Sequence, residues 1–343
     1  MAKTKTKEGE TAPAMAKWLE EHGVFTLTGK GSSPTRHDVE VIPTGNYGID
    51  HVLIGAGGIP RGRITEAFGG TSAGKSTLSF QIIASAQRMG LACLYIDAEH
   101  ASIASHMAGL GVDTSKLAFE QPMSAEASLG LAEDAAESGI FGLVVIDSIA
   151  ASAPEDEQTA DMGSFKMGLM ARLIGQWCRK VTAKASSTNT AILALNQVRK
   201  NVGISFGSPW TTAGGEALKF YASLRLECSR WKTLPDKNGH VMGVTCVKNK
   251  LGPPLKKMGV DLVYGIGLDN ASTLLDLAVA NDVSLVERPS AAHWNICGES
   301  AKGRAAACAL VRERPDMQEA LAKALNDIKA NGDLNVPGKP EAE

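Results

Sequence analysis

Residues Gly69-Gly-Thr-Ser-Ala-Gly-Lys-Ser76 fit the pattern GxxxxGK(S/T), a glycine-rich loop followed by a lysine and a hydroxyl residue. The apolar stretch Arg63–Phe68 precedes this loop, and a helical pattern begins near Lys75. In a strand–loop–helix arrangement, glycines let backbone N–H groups turn toward phosphates, and the helix N-terminus adds a positive dipole. The pattern therefore predicts an ATP site, and the alternative is a glycine-rich turn that binds no ligand.

The chemistry of ATP binding assigns roles to the polar positions of this loop. We expect Lys75 to reach the β- and γ-phosphates and the Ser76 hydroxyl to bind Mg²⁺. Asp147 is expected to complete the metal site, because Phe141–Asp147 is an apolar strand that ends in an acid. The alternative for Asp147 is a cap of the next turn. The residues predicted to contact the nucleotide here are Gly69, Gly70, Thr71, Ser72, Ala73, Gly74, Lys75, Ser76, Thr77 and Asp147.

Other polar side chains follow neighbouring predicted strands. Glu99 comes just after the strand Ala92–Ile96 and is the candidate general base, which needs hydrogen-bond reach to the attacking water. Asp97, in the same segment, is interpreted as structural. Gln197 follows the strand Ala191–Leu195 and could sense the γ-phosphate, although a solvated loop amide is the favoured interpretation from its position alone.

The stretch from Val39 to about Asp269 alternates between short apolar runs and helical patterns. Such alternation is typical of an α/β fold, in which helices cover both faces of a mostly parallel sheet and ligands bind beyond the carboxyl ends of the strands. The predicted strands are Arg63–Phe68, Ala92–Ile96, Leu143–Ile146, Ala191–Leu195, Ser223–Leu226 and Val244–Val247. The predicted helices between them include Lys75–Met89, Ala125–Ser138 and Phe165–Ala185.

Changes in composition divide the chain into four parts. Residues 1–38 form an N-terminal arm whose one helix, from about Pro13 to His22, could pack on its own domain or on a neighbouring subunit. Residues 39–270 form the core, residues 271–330 a small C-terminal domain richer in Ala and Leu, and residues 331–343 a flexible tail. The helices predicted in the C-terminal domain are Ala271–Asn281, Ala301–Val311 and Asp316–Lys329.

Net charge and cysteine usage narrow the class of protein. Lys and Arg total 35 against 37 Asp and Glu, a net charge of −2, which argues mildly against nucleic-acid binding, although local placement of basic residues governs such binding. The six cysteines form no CxxC pair and are interpreted as reduced thiols. The chain has no apolar run long enough for a membrane span and no secretory signal pattern, so we expect a cytoplasmic protein without a membrane partner.

Together these segments resemble the RecA family of DNA recombinases. The resemblance runs from about Val39 to Gly267 and rests above all on Thr211–Ser223 and Val247–Lys250, which are far narrower signatures than the phosphate loop. It implies a RecA-type P-loop ATPase core with a mostly parallel central sheet, a short N-terminal helical arm and a small C-terminal α+β domain. The other segments that carry it are Gly55–Arg63, Gly69–Ser76, Ile96–His100, Val145–Ser148 and Asn196–Arg199.

The activity that the resemblance implies depends on ATP. Members of the family form helical filaments on single-stranded DNA and promote homologous pairing and strand exchange with double-stranded DNA in recombination and repair. We therefore expect a DNA-dependent ATPase that uses Mg²⁺ and assembles as a homo-oligomer. The alternatives are a ring-forming helicase motor of the same superfamily and a non-catalytic, nucleotide-gated DNA assembly factor, against which Glu99 argues. A small-molecule P-loop kinase is least favoured.

Matching positions assign further residues to catalysis. Glu99 matches the catalytic glutamate of the family, and Gln197 matches the residue that couples the γ-phosphate to a DNA-binding loop. Lys248 and Lys250 would reach the γ-phosphate of a neighbouring subunit. The expected catalytic set is Glu99, Lys75, Gln197, Lys248 and Lys250.

The resemblance also predicts the adenine pocket and the subunit interface. Tyr264 would stack on adenine, and Lys219 and Phe220 would lie at the interface with Lys248 and Lys250. His106 stands where the family often has a tyrosine near adenine, so stacking there is weakened or altered.

Two loops, residues 159–168 and 198–213, correspond to the DNA-binding loops of the family. Arg172, Gln176 and Arg179 recur at helical spacing after the first loop, so they share a face that could contact phosphates. The alternative is a solvated basic stripe. The residues expected to contact DNA are Met167, Arg172, Gln176, Arg179, Arg199, Val202, Trp210, Gly214 and Gly215.

Two departures from the family concern DNA directly. Trp210 lies at the tip of the second loop, where many relatives have a glutamate, and its ring could stack on bases. The C-terminal tail carries few acids, which argues against a tail-based brake on binding of duplex DNA. Lys302 and Arg304 are candidates for a C-terminal gate for duplex DNA.

Overall fold

The computed structural model describes residues 39–158, 168–200, 210–290 and 292–337, together with Met15, Lys17 and Glu21. The chain divides into two compact units, residues 1–40 and 41–343. In the first unit Met15, Lys17 and Glu21 are helical, and Lys17 Nζ lies 3.7 Å from the Glu21 carboxylate. The other residues of the helix predicted for Pro13–His22 lie outside the described residues.

Within its described residues, the second unit is built around a ten-stranded sheet, with one two-stranded and one three-stranded sheet beside it. The strands are β1 (Val41–Ile42), β2 (Ile59–Pro60), β3 (Ile64–Gly69), β4 (Ala92–Asp97), β5 (Leu117–Glu120), β6 (Phe141–Asp147), β7 (Ala191–Lys200), β8 (Trp210–Thr212), β9 (Leu224–Thr233), β10 (Gly239–Asn249), β11 (Lys257–Val263), β12 (Gly267–Leu268), β13 (Val286–Ser290), β14 (His293–Ile296) and β15 (Glu299–Lys302).

Helices lie between about half of the consecutive strands. The α-helices are α1 (Lys75–Arg88), α2 (Ala104–Gly109), α3 (Ala125–Ser138), α4 (Glu155–Gln158), α5 (Leu169–Thr188), α6 (Ala217–Tyr221), α7 (Asn270–Ala280), α8 (Arg304–Glu313) and α9 (Pro315–Asn331). A π-helix spans Gly48–Ile54, and a 3-10 helix spans Thr114–Lys116. Side-chain caps fix the start of α3, where Ser124 Oγ accepts from Ala127 N at 3.1 Å, since the first N–H groups of a helix lack partners within it.

The large sheet has a parallel and an antiparallel part. Its parallel strands follow the order β9–β3–β7–β6–β4–β5. The antiparallel strands β10, β11 and β12 extend the sheet beyond β9, and β8 pairs antiparallel with β7. The predicted α/β fold with a mostly parallel central sheet is confirmed.

Alternate residues of the central strands belong to two hydrophobic clusters, one on each face of the sheet. Leu143, Val145 and Leu193 join the cluster that includes residues of α1, α7, α8 and α9. Val144 and Ile192 join the cluster that includes residues of α3 and α5. Because both faces of these strands are covered, their sequences are continuously apolar, which is the signal that predicts them.

The antiparallel part of the sheet extends further than the sequence predicts. The predicted strands Ser223–Leu226 and Val244–Val247 are only parts of β9 and β10, and β11 is absent from the prediction. Gly259 interrupts the apolar pattern of β11. A Cβ there would lie 2.9 Å from Trp231 Cζ3, and one at Gly243 would lie 1.8 Å from Trp231 Nε1. Trp231 therefore packs on glycines of two neighbouring strands, a contact that no local pattern reveals.

The region after α7 contains a small sheet, β13–β14–β15, whose individual strands are not among the predicted ones, although the resemblance implies a C-terminal α+β domain. The helix predicted for Ala301–Val311 is wrong at its start, because Glu299–Lys302 forms β15. Gly303, with a φ of 83°, separates this strand from α8, which begins at Arg304. Glycine adopts such a conformation without the steric cost that a Cβ would add.

Part of the predicted flexible tail, residues 331–337, packs on the rest of the second unit, and the flexible tail itself stays a prediction. Leu334 is 9% exposed and belongs to the main hydrophobic cluster. The backbone N–H of Asn335 donates to Asn281 Oδ1 at 2.8 Å, which ties this segment to the end of α7. Residues 338–343 lie outside the described residues.

The C-terminal helices share the main hydrophobic cluster with the sheet. Leu274 of α7 and Leu321 of α9 belong to the same cluster as Leu193 of β7. Asn46 Nδ2 also donates to Thr273 Oγ1 at 2.8 Å, across the predicted boundary between residues 270 and 271. The separate C-terminal domain stays a prediction.

All six cysteines lie within the described residues, and none of them forms a disulfide bond. This agrees with their interpretation as thiols. None of the described helices is both long enough and apolar enough to cross a membrane.

We expect Gly69→Ala to destabilise the fold, and Gly70→Ala to leave its stability nearly unchanged. A Cβ at Gly69 would lie 1.9 Å from the carbonyl oxygen of Cys228 in β9, whereas no atom lies within 4 Å of a Cβ at Gly70. Overpacking of this kind costs about 1–3 kcal/mol. The measurement is the free energy of unfolding in urea without nucleotide, and equal values for the two variants would contradict the expectation.

Candidate nucleotide-binding site

The predicted site residues meet at one edge of the parallel sheet. The strand register places Asp97 beside Asp147 and Gly69 beside Gln197, so segments that are distant in the sequence end side by side. This edge is formed by the carboxyl ends of the strands, where α/β sheets bind ligands.

The phosphate loop runs from the end of β3 into α1. Gly74, with a φ of 95°, precedes α1 in a left-handed conformation that glycine adopts readily. Lys75 is 8% exposed, and its ammonium donates to the carbonyl oxygens of Gly69 at 3.1 Å and Gly70 at 2.8 Å. A buried ammonium held by neutral oxygens gains more from an anion, so the loop is suited to bind phosphate.

Ser76 and Asp147 lie close enough to serve one Mg²⁺ together. Ser76 Oγ donates to Asp147 Oδ2 at 2.7 Å, and both groups are hard oxygen ligands of the kind that Mg²⁺ prefers. Among the described residues, no group of three or more His, Cys, Asp or Glu side chains could hold a metal by itself. A hydroxyl and a carboxylate placed in this way fit a nucleotide-bound Mg²⁺, to which phosphates and waters would supply the other ligands.

Opposing effects act on the carboxyl group of Asp147. Burial raises its pKa, and the charges of Glu99 and Asp97 add to the rise, whereas hydrogen bonds from Tyr95 and Ser76 oppose it. Because three carboxylates lie near one another, a divalent cation at this edge would offset their repulsion.

Glu99 and Gln197 contact each other at the edge of the cavity. Gln197 Nε2 donates to Glu99 Oε1 at 2.7 Å, and both side chains are exposed. Gln197 lies within β7, so its interpretation as a solvated loop amide is wrong. Asp97 is 1% exposed and accepts from Ser102 N at 3.0 Å and Gln121 Nε2 at 2.9 Å, which agrees with a structural role.

A cavity of about 600 Å³ lies over this edge of the sheet, within the size range of small-molecule sites. Residues 71–77 of the phosphate loop line it together with Glu99, Asp147 and Gln197. His106 and Tyr264 line it as well, so the structure brings both candidate adenine residues to the same cavity as the phosphate loop.

Arg230 and His240 also line the cavity, although they are not among the predicted site residues. His240 is 3% exposed, and neither of its ring nitrogens has a hydrogen-bond partner within the described part of the chain. Burial, and to a smaller extent Arg230, lowers the pKa of His240. The signal that could have found them is Asn238-Gly239, a hairpin dipeptide that predicts longer flanking strands.

The predicted interface lysines lie away from the cavity of their own chain. Lys248 pairs with Arg225 of β9, three positions before Cys228, which is the partner of Gly69. At about 3.3 Å per strand residue, Lys248 lies about 10 Å, measured along the strands, from the start of the phosphate loop. Neither Lys248 nor Lys250 is among the described residues that line the cavity.

Lys248 instead caps α6. Its ammonium donates to the carbonyl oxygens of Lys219 at 2.7 Å and Phe220 at 2.8 Å. Burial lowers the pKa of Lys248, and the nearby charges of Lys250 and Arg225 lower it further. The Phe220 side chain is 72% exposed, which is unusual for a large apolar residue and is compatible with the predicted interface.

The predicted DNA-binding residues on α5 are exposed. Arg172, Gln176 and Arg179 lie on this helix, which begins at Leu169, after Gly168, and not at the predicted Phe165. Residues 165–167 lie outside the described part of the chain, so Met167 cannot be placed. The helical spacing of the three side chains agrees with the predicted common face.

The described residues at the two ends of the second loop either belong to paired strands or pack against α5. Arg199 is exposed near the end of β7, and β7 pairs with β8 at Arg199 and Thr211. Gly214 and Gly215 have φ values of 82° and 81°, and a Cβ at either position would approach α5 to within 2.3 Å and 2.8 Å. Their small size is therefore required for packing, whatever their role toward DNA. Trp210 pairs with Lys200 at the start of β8, so its predicted place at the tip of the loop is wrong. Its side chain and Val202 lie outside the described residues.

The two candidates for a duplex-DNA gate differ in their partners. Arg304 donates to Asp261 Oδ2 at 2.8 Å and to Asp276 Oδ2 at 2.7 Å, so its guanidinium is engaged by two carboxylates. Lys302 is exposed on β15. The structure therefore favours Lys302 over Arg304 as a group that could meet an incoming phosphate.

A buried carboxylate joins the strands below the site. Glu66 of β3 is fully buried, forms an ion pair with Arg225 of β9 and accepts from Asn196 Nδ2 of β7 at 2.9 Å. Asn196 Nδ2 also donates to Ala213 O at 3.1 Å, at the end of the second loop. This Glu66 cluster, made of Glu66, Asn196 and Arg225, connects the strand of the phosphate loop to the strand of Gln197 and to the base of the second loop.

Comparison with known proteins gives a consistent result. A family model described as RecA N-terminal domain matches residues 12–269. The chain is 40% identical over 334 residues to Protein RecA 1 of Myxococcus xanthus, covering 96% of both chains. It is 39% identical over 344 residues to Protein RecA of Colwellia psychrerythraea, covering 98% of this chain and 97% of that one. A crystal structure of the RadB recombinase, 18% identical, matches 66% of this chain and 98% of its own with a TM-score of 0.51, which supports the fold alone.

We expect Glu66→Ala to lower the free energy of unfolding by about 3–5 kcal/mol, because it leaves the Arg225 guanidinium without its carboxylate in a mostly buried position. The double variant Glu66→Ala, Arg225→Met should recover part of this loss, since it removes the uncompensated charge. Glu227→Gln, on the exposed face of β9, is the matched control and should have little effect. Urea unfolding measures the stability of all three variants. A Glu66→Ala variant as stable as the parent would contradict the assignment of this ion pair.

Proposed function

Because the chain belongs to the RecA family, as a RecA-type DNA recombinase of recombination and repair, we propose that it is a DNA-dependent ATPase whose catalytic site is shared between neighbouring copies of the chain. In this proposal the copies form a helical filament on single-stranded DNA. The bound ATP joins one copy to the next, and its hydrolysis loosens the junction.

The observation that carries the proposal is the separation of the catalytic residues into two sets. Lys75, Glu99 and Gln197 face one cavity, whereas Lys248 and Lys250 lie toward the other end of the same sheet. A lysine at that end can contact a phosphate only in the cavity of another copy. Repeated head-to-tail contact of this kind generates an open helical assembly when the rotation does not close.

The proposed reaction is attack of water on the γ-phosphate, which converts ATP and water into ADP and phosphate. Glu99 accepts a proton from the attacking water, and the ammonium of Lys75 exchanges its carbonyl partners for phosphate oxygens that gain charge. Ser76 and Asp147 would hold Mg²⁺, which when bound would neutralise part of the phosphate charge. Lys248 and Lys250 of the neighbouring copy would add positive charge beside the γ-phosphate.

Gln197 connects the γ-phosphate to DNA in this proposal. It now donates to Glu99, and a γ-phosphate would compete for the same amide N–H groups. Gln197 O accepts from Ala213 N at 3.0 Å, so a shift of this strand position is passed to the end of the second loop. ATP binding and loop position are thereby coupled in both directions.

We place DNA along the two loops and the exposed face of α5. Arg172 and Arg179 would contact phosphates, and Gln176 lies between them on the helix. Trp210, at the start of β8, would add stacking on bases, which is tolerant of sequence. The net charge of −2 is compatible with this placement because binding depends on local and not total charge.

We expect Glu99→Gln to bind ATP with the affinity of the parent and to hydrolyse it about 100 to 10,000 times more slowly in the presence of single-stranded DNA, since general base catalysis contributes that much. The measurements are nucleotide binding by fluorescence and phosphate release. Glu120→Gln, an exposed acid at the end of β5, is the control and should keep the parent rate. Unchanged hydrolysis in Glu99→Gln would contradict the role of Glu99.

The shared site predicts complementation between two inactive variants. Lys75→Ala lacks the phosphate lysine of the cavity, and Lys248→Ala lacks the lysine that reaches the neighbouring copy. In a 1:1 mixture with random assembly, about one quarter of the junctions contain both lysines, so the mixture should regain about that share of the parent ATPase rate. The control is each variant alone at the same total concentration. A mixture that only averages the two separate rates would contradict a site made by two copies.

A further inference from the structure

Tyr95 makes a hydrogen bond that neither ATP binding nor catalysis accounts for. Its hydroxyl donates to Asp147 Oδ2 at 2.7 Å, the same oxygen that accepts from Ser76 Oγ at 2.7 Å. Ser102 Oγ donates to the Tyr95 hydroxyl oxygen at 3.2 Å. Because a phenol has one proton and Ser102 supplies the other hydrogen bond, the Tyr95 proton is directed at Asp147.

The Tyr95 ring is held so that this hydroxyl cannot move away. The side chain is fully buried, lying 5.4 Å from the Phe80 ring and stacked on the Phe119 ring at 6.1 Å. These contacts need an aromatic ring and no hydroxyl. A phenylalanine would fill the same space, and the hydroxyl is therefore explained by its partner, Asp147.

Binding of Mg²⁺ and ATP changes the partners of Asp147. In the proposed function both Ser76 and Asp147 would gain the metal as a partner, so the geometry of their mutual hydrogen bond would depend on whether Mg²⁺ is bound. Tyr95 is fully buried and is not among the described residues that line the cavity, so its hydrogen bond to Asp147 can stay the same when the metal binds. It is thus the contact that can hold the carboxylate in one orientation before and after the metal binds.

We propose that Tyr95 is a positioning residue for Mg²⁺: its hydroxyl fixes Asp147 Oδ2 and leaves the carboxylate oriented toward the metal. This rests on the proposed function and deepens it, because it assigns a support to the proposed Mg²⁺ ligand. Groups that hydrogen-bond to a metal ligand orient it, and their loss typically weakens metal binding or activity about 10- to 100-fold.

The test compares Tyr95→Phe with the parent in two binding measurements. One is the affinity for a fluorescent ATP analogue, first in EDTA and then across a Mg²⁺ titration. The other is the binding of Mn²⁺ to the complex with ADP, measured by electron paramagnetic resonance. We expect Tyr95→Phe to keep the parent affinity in EDTA and to need about tenfold more Mg²⁺ or Mn²⁺ for half-saturation.

Two further variants separate positioning from general stability. Tyr47→Phe removes another phenol hydroxyl, which donates to Asn326 Oδ1 at 2.8 Å away from the cavity, and it should leave the metal dependence at the parent value. Ser102→Ala removes the hydrogen bond to Tyr95 and should give a shift in the same direction as Tyr95→Phe, but smaller.

The outcomes distinguish this inference from the proposed function. A parent protein that binds the nucleotide with no dependence on Mg²⁺ would overturn both. If nucleotide binding by the parent depends clearly on Mg²⁺ and Tyr95→Phe shows the same dependence, the role of Tyr95 alone is overturned. A Tyr95→Phe variant that binds nucleotide more weakly in EDTA as well would show a general distortion of the site, and this too would overturn the positioning role.

Discussion

The hydrogen bonding of β3 on both sides is the constraint on which the site depends. β3 pairs in parallel with β7 and with β9, and this fixes the level at which the phosphate loop leaves the sheet. Gly69 occupies the last paired position, where the carbonyl of Cys228 comes so close that no Cβ fits. The same register brings Gln197 beside the loop. A change in this pairing would therefore move the phosphate loop and Gln197 relative to each other.

Buried charge is concentrated where strands must stay in register. Glu66 satisfies its carboxylate with Arg225 and Asn196, which belong to the two strands that flank β3. A buried ion pair contributes little net stability, but breaking it is costly, so it discriminates against arrangements in which the three strands are shifted. At the edge of the sheet the balance differs, because the carboxylates of Asp97, Asp147 and Glu99 lie near one another and a bound cation would offset their repulsion. The first arrangement serves the fold, and the second serves binding.

The sequence predicts those parts of the molecule whose cause is local. The parallel strands are covered on both faces, so β6 and β7 are continuous apolar runs, and the phosphate loop is a short pattern with a direct physical meaning. Contacts that join distant segments escape prediction: β11 carries Gly259 because Trp231 packs on it, and His240 reaches the cavity because β10 is longer than its apolar part. The strand at Ala301 and Lys302 has helix-forming neighbours, and only Gly303 marks the boundary. Leu334 lies in a polar segment, but it is buried in the main hydrophobic cluster, which distant parts of the chain form.

The bonds of Lys248 have a consequence for assembly. In a single copy its ammonium already holds the carbonyl oxygens at the end of α6, so the residue is not an idle cation waiting for a phosphate. In the proposed assembly, joining two copies through this lysine would replace one set of acceptors with another, and the gain would be only the difference between them. That difference grows with the negative charge on the nucleotide, since an ionised acceptor binds an ammonium more strongly than a neutral carbonyl does. In that assembly an isolated subunit would carry its own competitor for the contact, and a triphosphate would displace this competitor more easily than a diphosphate would.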